Sequence, residues 1–597
     1  MIFKKKALAL GILLSFTTLM NQANAQIDHP FIAASVEFNP VFHERDKNIE
    51  ALSADIEKAL KKGAKLVVAP EMATTGYLYE SREEIEPYVD TIPGKTTGTL
   101  EMLAKKYDAY IVTGMAEKDV KTGIYYNSSV LVGPEGIIGT YRKTHLWEAE
   151  EHWSAWGDLG FPVFETELGK IAINICMDSG YFESSRIPAI NGADIIAFPT
   201  NSSIQAIYYN QARAMQNGVY IVEANRNNTE KNFHMVGMSA TWDPDGNKLV
   251  EAPYISKDDK SPTETQIVYA TINPDKYKTK DKKLEGRRTE LYQPLMLHIA
   301  PWNYKIDNTE REINSLAVQY QPVIGDKKAN LDSVIKLLSD TNEVDLVVLP
   351  EYSLTGETKV MTEKQASEWA EPLDGVTFQS MSQLAKEKAI NIVYTQIEQD
   401  TTDYYVTSVV LGKTGEIIGS YRKTHLNSME KEWAKAGNSI KSFDIPEVGK
   451  LGIMLGEEVL YPEIAGVLSG QRVDMIAIPS SWAGEYGGYV QVNQKAIAKP
   501  YPKQSMVLWD AVAFSAQAYT IVSNFIGSEI QYKGESALYT LDPLYGLDQA
   551  IVASSSEEQA LKVQFKTKNN DWWLNQYNMV SSRRTSYYQP LIMPLKK

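Results

Sequence analysis

Cys176 is the single cysteine in a chain of 597 residues. A lone thiol is either packed away as a small apolar group or kept for its reactivity. Three residues of reactive type stand just after short aliphatic runs: Glu71 behind Val67-Val68, Lys143 behind Ile137-Ile138, and Cys176 behind Ile171-Ala172-Ile173-Asn174-Ile175. Such runs read as buried strands. Strand ends are where α/β folds collect functional groups, because the strand fixes them and the loop leaves them reachable. Taken singly, a Glu or Lys in a loop is usually a solvated surface residue. Taken together the three types are complementary: a free thiol is only a few per cent thiolate near neutral pH, so it needs a base or a cation beside it. A carboxylate can serve as such a base, and a fixed positive charge would stabilise an oxyanion formed by attack on a carbonyl. The backbone N–H of Met177 is the natural second donor.

A Cys-His pairing is the rival arrangement, with His145 as partner. That histidine recurs as His425 in a part of the chain without a cysteine, which favours a structural role. No His/Cys cluster has metal-ligand spacing and no glycine-rich phosphate loop occurs, so neither a metal nor another cofactor is expected.

The recurrence of His425 belongs to a longer pattern. At a shift of 280 residues Leu66 to Glu71 is answered by Leu346 to Glu351, Gly139 to Leu146 by Gly419 to Leu426, and Asp194 to Pro199 by Asp474 to Pro479. Near the ends Arg287-Arg288-Thr289 is answered by Arg583-Arg584-Thr585 at a shift of 296, a net insertion of 16 residues in the second copy, placed between Ser480 and Trp509. The chain is therefore a tandem duplication. Its expected boundary lies in the polar stretch from Pro301 to Arg311, dividing it into residues 26–305 and 306–597. In each copy amphipathic helices alternate with buried strands: Ile49, Leu52, Ile56 and Leu60 keep helical spacing up to Gly63, and an aliphatic run follows. This is α/β organisation.

Four segments of the first copy resemble the nitrilase superfamily of carbon–nitrogen hydrolases: Pro70-Glu71 with Gly76-Tyr77, Tyr141 to Leu146, Cys176 with Asp178, and Phe198 to Asn201. Their order and spacing agree over nearly all of residues 30–300. The resemblance implies two tandem four-layer αββα sandwiches, where periodicity alone indicates only α/β. It makes Cys176 the nucleophile, Glu71 the general base and later acid, and Lys143 the oxyanion cation. Glu150 takes the place of a second glutamate that supports the others, with Glu151 its neighbour in sequence. Asn201 and Tyr77 are the expected substrate contacts. Cys176-Met177-Asp178 is similar to the amidase and carbamoylase branches, whereas true nitrilases tend to carry Trp-Glu after the cysteine. The expected substrate is a small linear amide, hydrolysed through a thioester. Carbamoylase or nitrilase activity, N-acyl transfer and non-catalytic binding are the alternatives.

The second copy keeps Glu351, Lys423 and Glu430 but has Gly456 where the nucleophile should stand. It cannot form an acyl-enzyme, so it reads first as a partner that keeps the first copy folded, with regulation or substrate shaping as the other role. Lys423 should activate a cysteine returned to position 456. Since family members pair through their sandwiches, the two copies are expected to form an internal pseudo-dimer, with further homo-oligomerisation left open.

The remaining signals are compositional. Lys4 to Lys6, the apolar run Ala7 to Met20 and Ala23-Asn24-Ala25 form a cleavable export signal over residues 1–25, implying a periplasmic or secreted protein with no membrane span after cleavage. Without that segment 57 basic residues face 75 acidic ones, a net charge of −18 that disfavours nucleic acid. An exported chain with one cysteine has no internal disulfide, so packing must hold it together.

Overall fold

Ile49, Leu52, Ile56 and Leu60 line the buried face of the helix Arg45–Lys61. The chain leaves that helix at Gly63, whose φ of 89° lies in the left-handed region that glycine enters without steric cost. It then runs into the strand Ala64–Val68, which is aliphatic because both of its faces are covered. In the computed structural model residues 26–595 are described except 261, 263, 298–308, 340–342, 358–360, 485–487, 498, 528, 542–549 and 568–572, and the side chains of 204–208. The export signal and most of the expected boundary between copies lie outside the described residues.

Each half carries two six-stranded mixed sheets. In the first half the strand Phe31–Glu37 sits inside one sheet, parallel to Ala64–Val68 and antiparallel to Gln266–Ile272. In the other sheet Gly169–Ile173, Ile195–Pro199 and Tyr220–Ala224 run parallel. Helices Arg45–Lys61 and Lys95–Tyr107 cover the outer face of the first sheet, and Phe182–Ile190 and Ile204–Asn217 pack on the second. The second half repeats the plan, with Leu346–Val348 and Gly449–Ile453 in the equivalent places. Four layers per half follow: helix, sheet, sheet, helix.

The halves meet through the helices of their second sheets. Val507–Ala516 lies against Ile204–Asn217, and one apolar core runs without a break from one half into the other. Two of the polar contacts across this seam come in matched pairs. Arg287 Nε donates to Glu463 (2.8 Å) and Arg583 Nε to Glu183 (3.2 Å). Tyr292 OH meets His425 Nε2 at 2.6 Å, and Tyr588 OH meets His145 Nε2 at 3.5 Å. In both, where a residue of one copy contacts a residue of the other, their counterparts contact each other too, which is the signature of a two-fold interface. The internal pseudo-dimer is therefore the architecture of the chain.

The insertion is larger than the chain ends indicate. Pro479 answers Pro199 at an offset of 280, whereas Tyr519 answers Tyr220 at 299, so 19 residues enter between the two strands and later connections shorten. This segment touches its own half, Gly484 N donating to Gln531 O and Tyr489 OH to Glu535 Oε1, but does not stop there. It crosses the seam: Gln211 Nε2 donates to Tyr489 O and Gln491 N donates to Gln211 Oε1, both at 3.0 Å.

Candidate active site

The strand Gly169–Ile173 delivers Cys176 to a sharp turn, where its φ of 44° opens the short helix Cys176–Gly180. A non-glycine residue in this region is strained and needs its surroundings to hold it. Asp178 does so: its carboxylate accepts from Ile175 N (2.9 Å), Tyr141 OH (2.7 Å) and His145 N (3.1 Å). The same aspartate contacts His145 Nδ1 at 2.9 Å, and that ring stacks on Tyr181 with 3.7 Å between centroids. His145 is thus a buried brace between the cysteine turn and the Tyr141–Leu146 segment, and the brace sets Lys143 relative to Cys176.

Lys143 has no exposed side-chain surface. Its Nζ lies 2.8 Å from Glu71 Oε1 and 2.7 Å from Glu150 Oε1. Asn127 Nδ2 donates to the same two oxygens, at 2.7 Å each. Glu71 Oε2 accepts from Asn201 N (3.0 Å), and Glu150 Oε2 accepts from Trp147 N (2.9 Å). Glu150, buried, rather than exposed Glu151, is the second glutamate.

Two buried carboxylates share one buried ammonium. Burial pushes Glu71 up to about 8; Lys143 pulls it back, and Glu150 raises it again. Burial also pushes the Cys176 thiol up to about 12, with Glu71 adding to the rise and Lys143 opposing it. Burial works against the Lys143 charge, yet Glu150 and Glu71 hold the ammonium above its ordinary range. The resting cysteine is consequently a neutral thiol beside a carboxylate of raised basicity and a fixed cation. This arrangement suits transfer of the thiol proton during attack rather than storage of a free thiolate.

Cys176 opens into a cavity of about 190 Å³ that Met177, Tyr77 and Asn201 also line. Tyr77 lies parallel to Trp147, with 5.8 Å between ring centroids, and Phe233 closes the same side. Asn201 does more than face the cavity: its Nδ2 donates to Glu71 O at 2.9 Å, so it also holds the base in place. Asn127 and Ser202, whose Oγ lies 3.6 Å from Cys176 Sγ, escaped the reading of the sequence. Asn127 had left a trace there, since Asn127-Ser128-Ser129 is a polar run inside the wholly buried strand Tyr125–Gly133.

The carbon–nitrogen hydrolase family model matches residues 32–280 and again 317–543. The chain belongs to the carbon–nitrogen hydrolase family. Its relatives in that family include a nitrilase of Pyrococcus abyssi, 39% identical over 270 residues that make up 43% of this chain and 98% of that protein. A formamidase of Bacillus cereus is 32% identical over 233 residues, 37% of this chain and 70% of the relative. Among solved structures, a carbon–nitrogen hydrolase from Helicobacter pylori is 25% identical, with a TM-score of 0.40, covering 45% of this chain and 98% of that one. Cysteine-dependent hydrolysis of carbon–nitrogen bonds is the chemistry of this family, and only the first half has the cysteine for it.

The second carbon–nitrogen hydrolase half keeps the charges but not their balance. Lys423 Nζ lies 2.9 Å from Glu351 and 2.6 Å from Glu430. Lys143 N donates to Asn127 O and Lys423 N to Val406 O, so the tethering asparagine is answered by a valine. Tyr352 OH donates to Glu430 instead, at 2.7 Å. Gly456 has a φ of 47°, matching Cys176, but a Cβ built there would lie 2.5 Å from Glu351 Oε2. Glu357 stands at the position of Tyr77 and shares Ser481 Oγ with Glu351. The resulting cavity, about 460 Å³, is lined in part by Ser481 to Gly484, where the insertion begins.

Proposed function

We propose that the first half hydrolyses small linear amides through a thioester at Cys176. The observation that carries this reading is the Lys143 ammonium held between Glu71 and Glu150, beside a thiol presented on a strained turn. In the proposed cycle Glu71 takes the thiol proton as Sγ attacks the amide carbonyl carbon. Lys143 and the Met177 N–H stabilise the oxyanion. The C–N bond then breaks, and Glu71 gives its proton to the leaving amine or ammonia. Water, deprotonated by Glu71, attacks the thioester; the C–S bond breaks and the thiol is restored as the acid leaves. Glu150 keeps Lys143 charged and in place. Asn127 and Asn201 act as positioning residues for the carboxylates.

Cys176-Met177-Asp178 supports an amide rather than a nitrile, and one relative is a formamidase. The cavity of about 190 Å³ lies below the roughly 300–1,000 Å³ usual for larger ligands, which supports a small substrate. The test is a panel of amides, carbamoyl compounds and nitriles, with mass spectrometry of quenched reactions. Turnover of amides with an acyl adduct on Cys176 is expected. Turnover confined to nitriles or carbamoyl compounds, or activity without an adduct, would replace this reading.

The Lys-rich, apolar and small-residue pattern of residues 1–25 supports export with cleavage before Gln26. N-terminal sequencing of the protein recovered from outside the cytoplasm tests it. No helix among the described residues is long and apolar enough to cross a membrane.

A further inference from the structure

The cavity at Cys176 is not built by the first half alone. Phe514, Trp573 and Leu574, all from the half without a nucleophile, form one of its sides. Phe514 belongs to the helix Val507–Ala516 and stacks on Tyr209 of the first half, with 3.4 Å between ring centroids and an 11° tilt. Gly180, four residues past the cysteine, borders this side. A Cβ there would already lie 3.8 Å from both Leu574 Cδ2 and Phe514 Cζ, and 3.3 Å from Met177 Cε. The relationship is one-sided: the described residues lining the second cavity all come from the second half.

We propose that the second half sets the acyl specificity of the first, with Trp573, Leu574 and Phe514 forming the wall against which the acyl chain of the amide packs. The inference rests on the amidase reading above and adds the substrate class: uncharged acyl groups with a short apolar chain. None of the three wall side chains carries charge. Tyr77, Trp147 and Phe233 add further aromatic surface to the lining that an acyl chain would meet. Glu148, also facing the cavity, disfavours a carboxylate on the substrate. The wall lies beside the elbow Cys176–Gly180, so its distance from Sγ limits chain length. Cutting it back should extend the list of accepted acyl groups, since each methylene in an apolar pocket changes discrimination by roughly 10–200-fold.

The test uses the full-length protein and the variants Trp573→Ala and Leu574→Ala. The first readout is the ratio of kcat/KM for hexanamide to that for acetamide; the second is the same acetyl group on ammonia and on N-alkyl amines. The third is the ratio of Cys176 alkylation rates by N-phenyl iodoacetamide and by iodoacetamide, which needs no turnover. A rise of about tenfold or more in the acyl ratio, with the N-alkyl series unmoved and the alkylation ratio raised, is expected. Ratios within about twofold of the parent in variants of unchanged melting temperature would overturn the proposal, as would a change confined to the N-alkyl series. If no amide is turned over, the amidase reading fails while the alkylation ratio still reports on the wall. Should Trp573→Ala not fold, Trp573→Phe and Phe514→Leu are read by the same ratios.

Discussion

Arg186 and Glu463 form an ion pair across the seam, 2.8 Å long and without exposed side-chain surface on either partner. Arg287 reaches the same carboxylate at 2.8 Å. Burial alone would raise the Glu463 pKa; Arg186 and Arg287 outweigh it and bring the group down to about 2. A depressed carboxyl contributes its stability above its unfolded value of 4.5 and loses it as pH falls from there towards 2. Glu463→Gln should therefore lower the unfolding free energy by about 3–5 kcal/mol at neutral pH, because it strands two buried arginines. The deficit relative to the parent should shrink below about pH 4. Urea unfolding at several pH values measures both, and a variant as stable as the parent at pH 7 would show that the pair does not hold the seam.

Cys176→Ala should abolish turnover and leave the melting temperature nearly unchanged, since it removes the nucleophile and little volume. Lys143→Ala and Glu71→Gln should each lower kcat/KM by about a thousandfold or more. Steady-state kinetics on a responsive amide, with circular dichroism as the folding control, would expose any residual activity near the parent level.

The acidic limb of the pH profile should lie well above the ordinary carboxylate range, since burial pushes Glu71 up to about 8 and activity requires its ionised form. Because Glu150 raises Glu71 and Lys143 lowers it, Glu150→Gln should move the limb to lower pH and Lys143→Gln to higher pH. Profiles of kcat/KM for the residual activities decide the signs.

Asn127→Leu should cost activity without loss of the cysteine, because both carboxylates lose a donor that holds them at 2.7 Å. A fall of about ten- to a hundredfold in kcat, with Cys176 still alkylated, is expected; it would be absent if Lys143 alone sufficed to position the pair.

Gly456→Cys in a Cys176→Ala background should give an unreactive thiol, contrary to what Lys423 alone suggests. The new Cβ meets Glu351 Oε2, and the Lys423 ammonium is already engaged by Glu351 and Glu430 at 2.9 and 2.6 Å. Carboxylates beside a buried thiol raise its pKa. An alkylation rate at neutral pH above that of a simple thiol would show instead that Lys423 dominates.

Much of the site was legible because its members sit at the ends of aliphatic strands, and the repeat made the α/β order visible twice. Asn127 was hidden because its neighbours in space, Glu71 and Glu150, come from other elements and no spacing rule links them. Asn201 was read as a substrate contact, yet its backbone and amide hold Glu71; only the close approach of two loops shows this. The share of the second half in the Cys176 cavity was hidden for a similar reason. Trp573 and Leu574 lie almost 400 residues from Cys176 in the chain, and nothing in their local pattern points across the seam. The offset placed the insertion between Ser480 and Trp509, but nothing in it pointed to Gln211 of the other copy, with which it exchanges two hydrogen bonds.

The matched contacts at the seam have a genetic consequence. Were the two sandwiches separate copies of one polypeptide, any substitution made to fit a substrate at one centre would appear at the other as well, and each would have to serve both as catalyst and as neighbour. Joining them in one chain frees the two from identical change. Glycine at 456, arginine at 186 facing glycine at 466, and a strap thrown over only one of the two helices are differences that only a fused pair can accumulate. One copy can then drift away from turnover while being reshaped, residue by residue, as part of the other's binding surface.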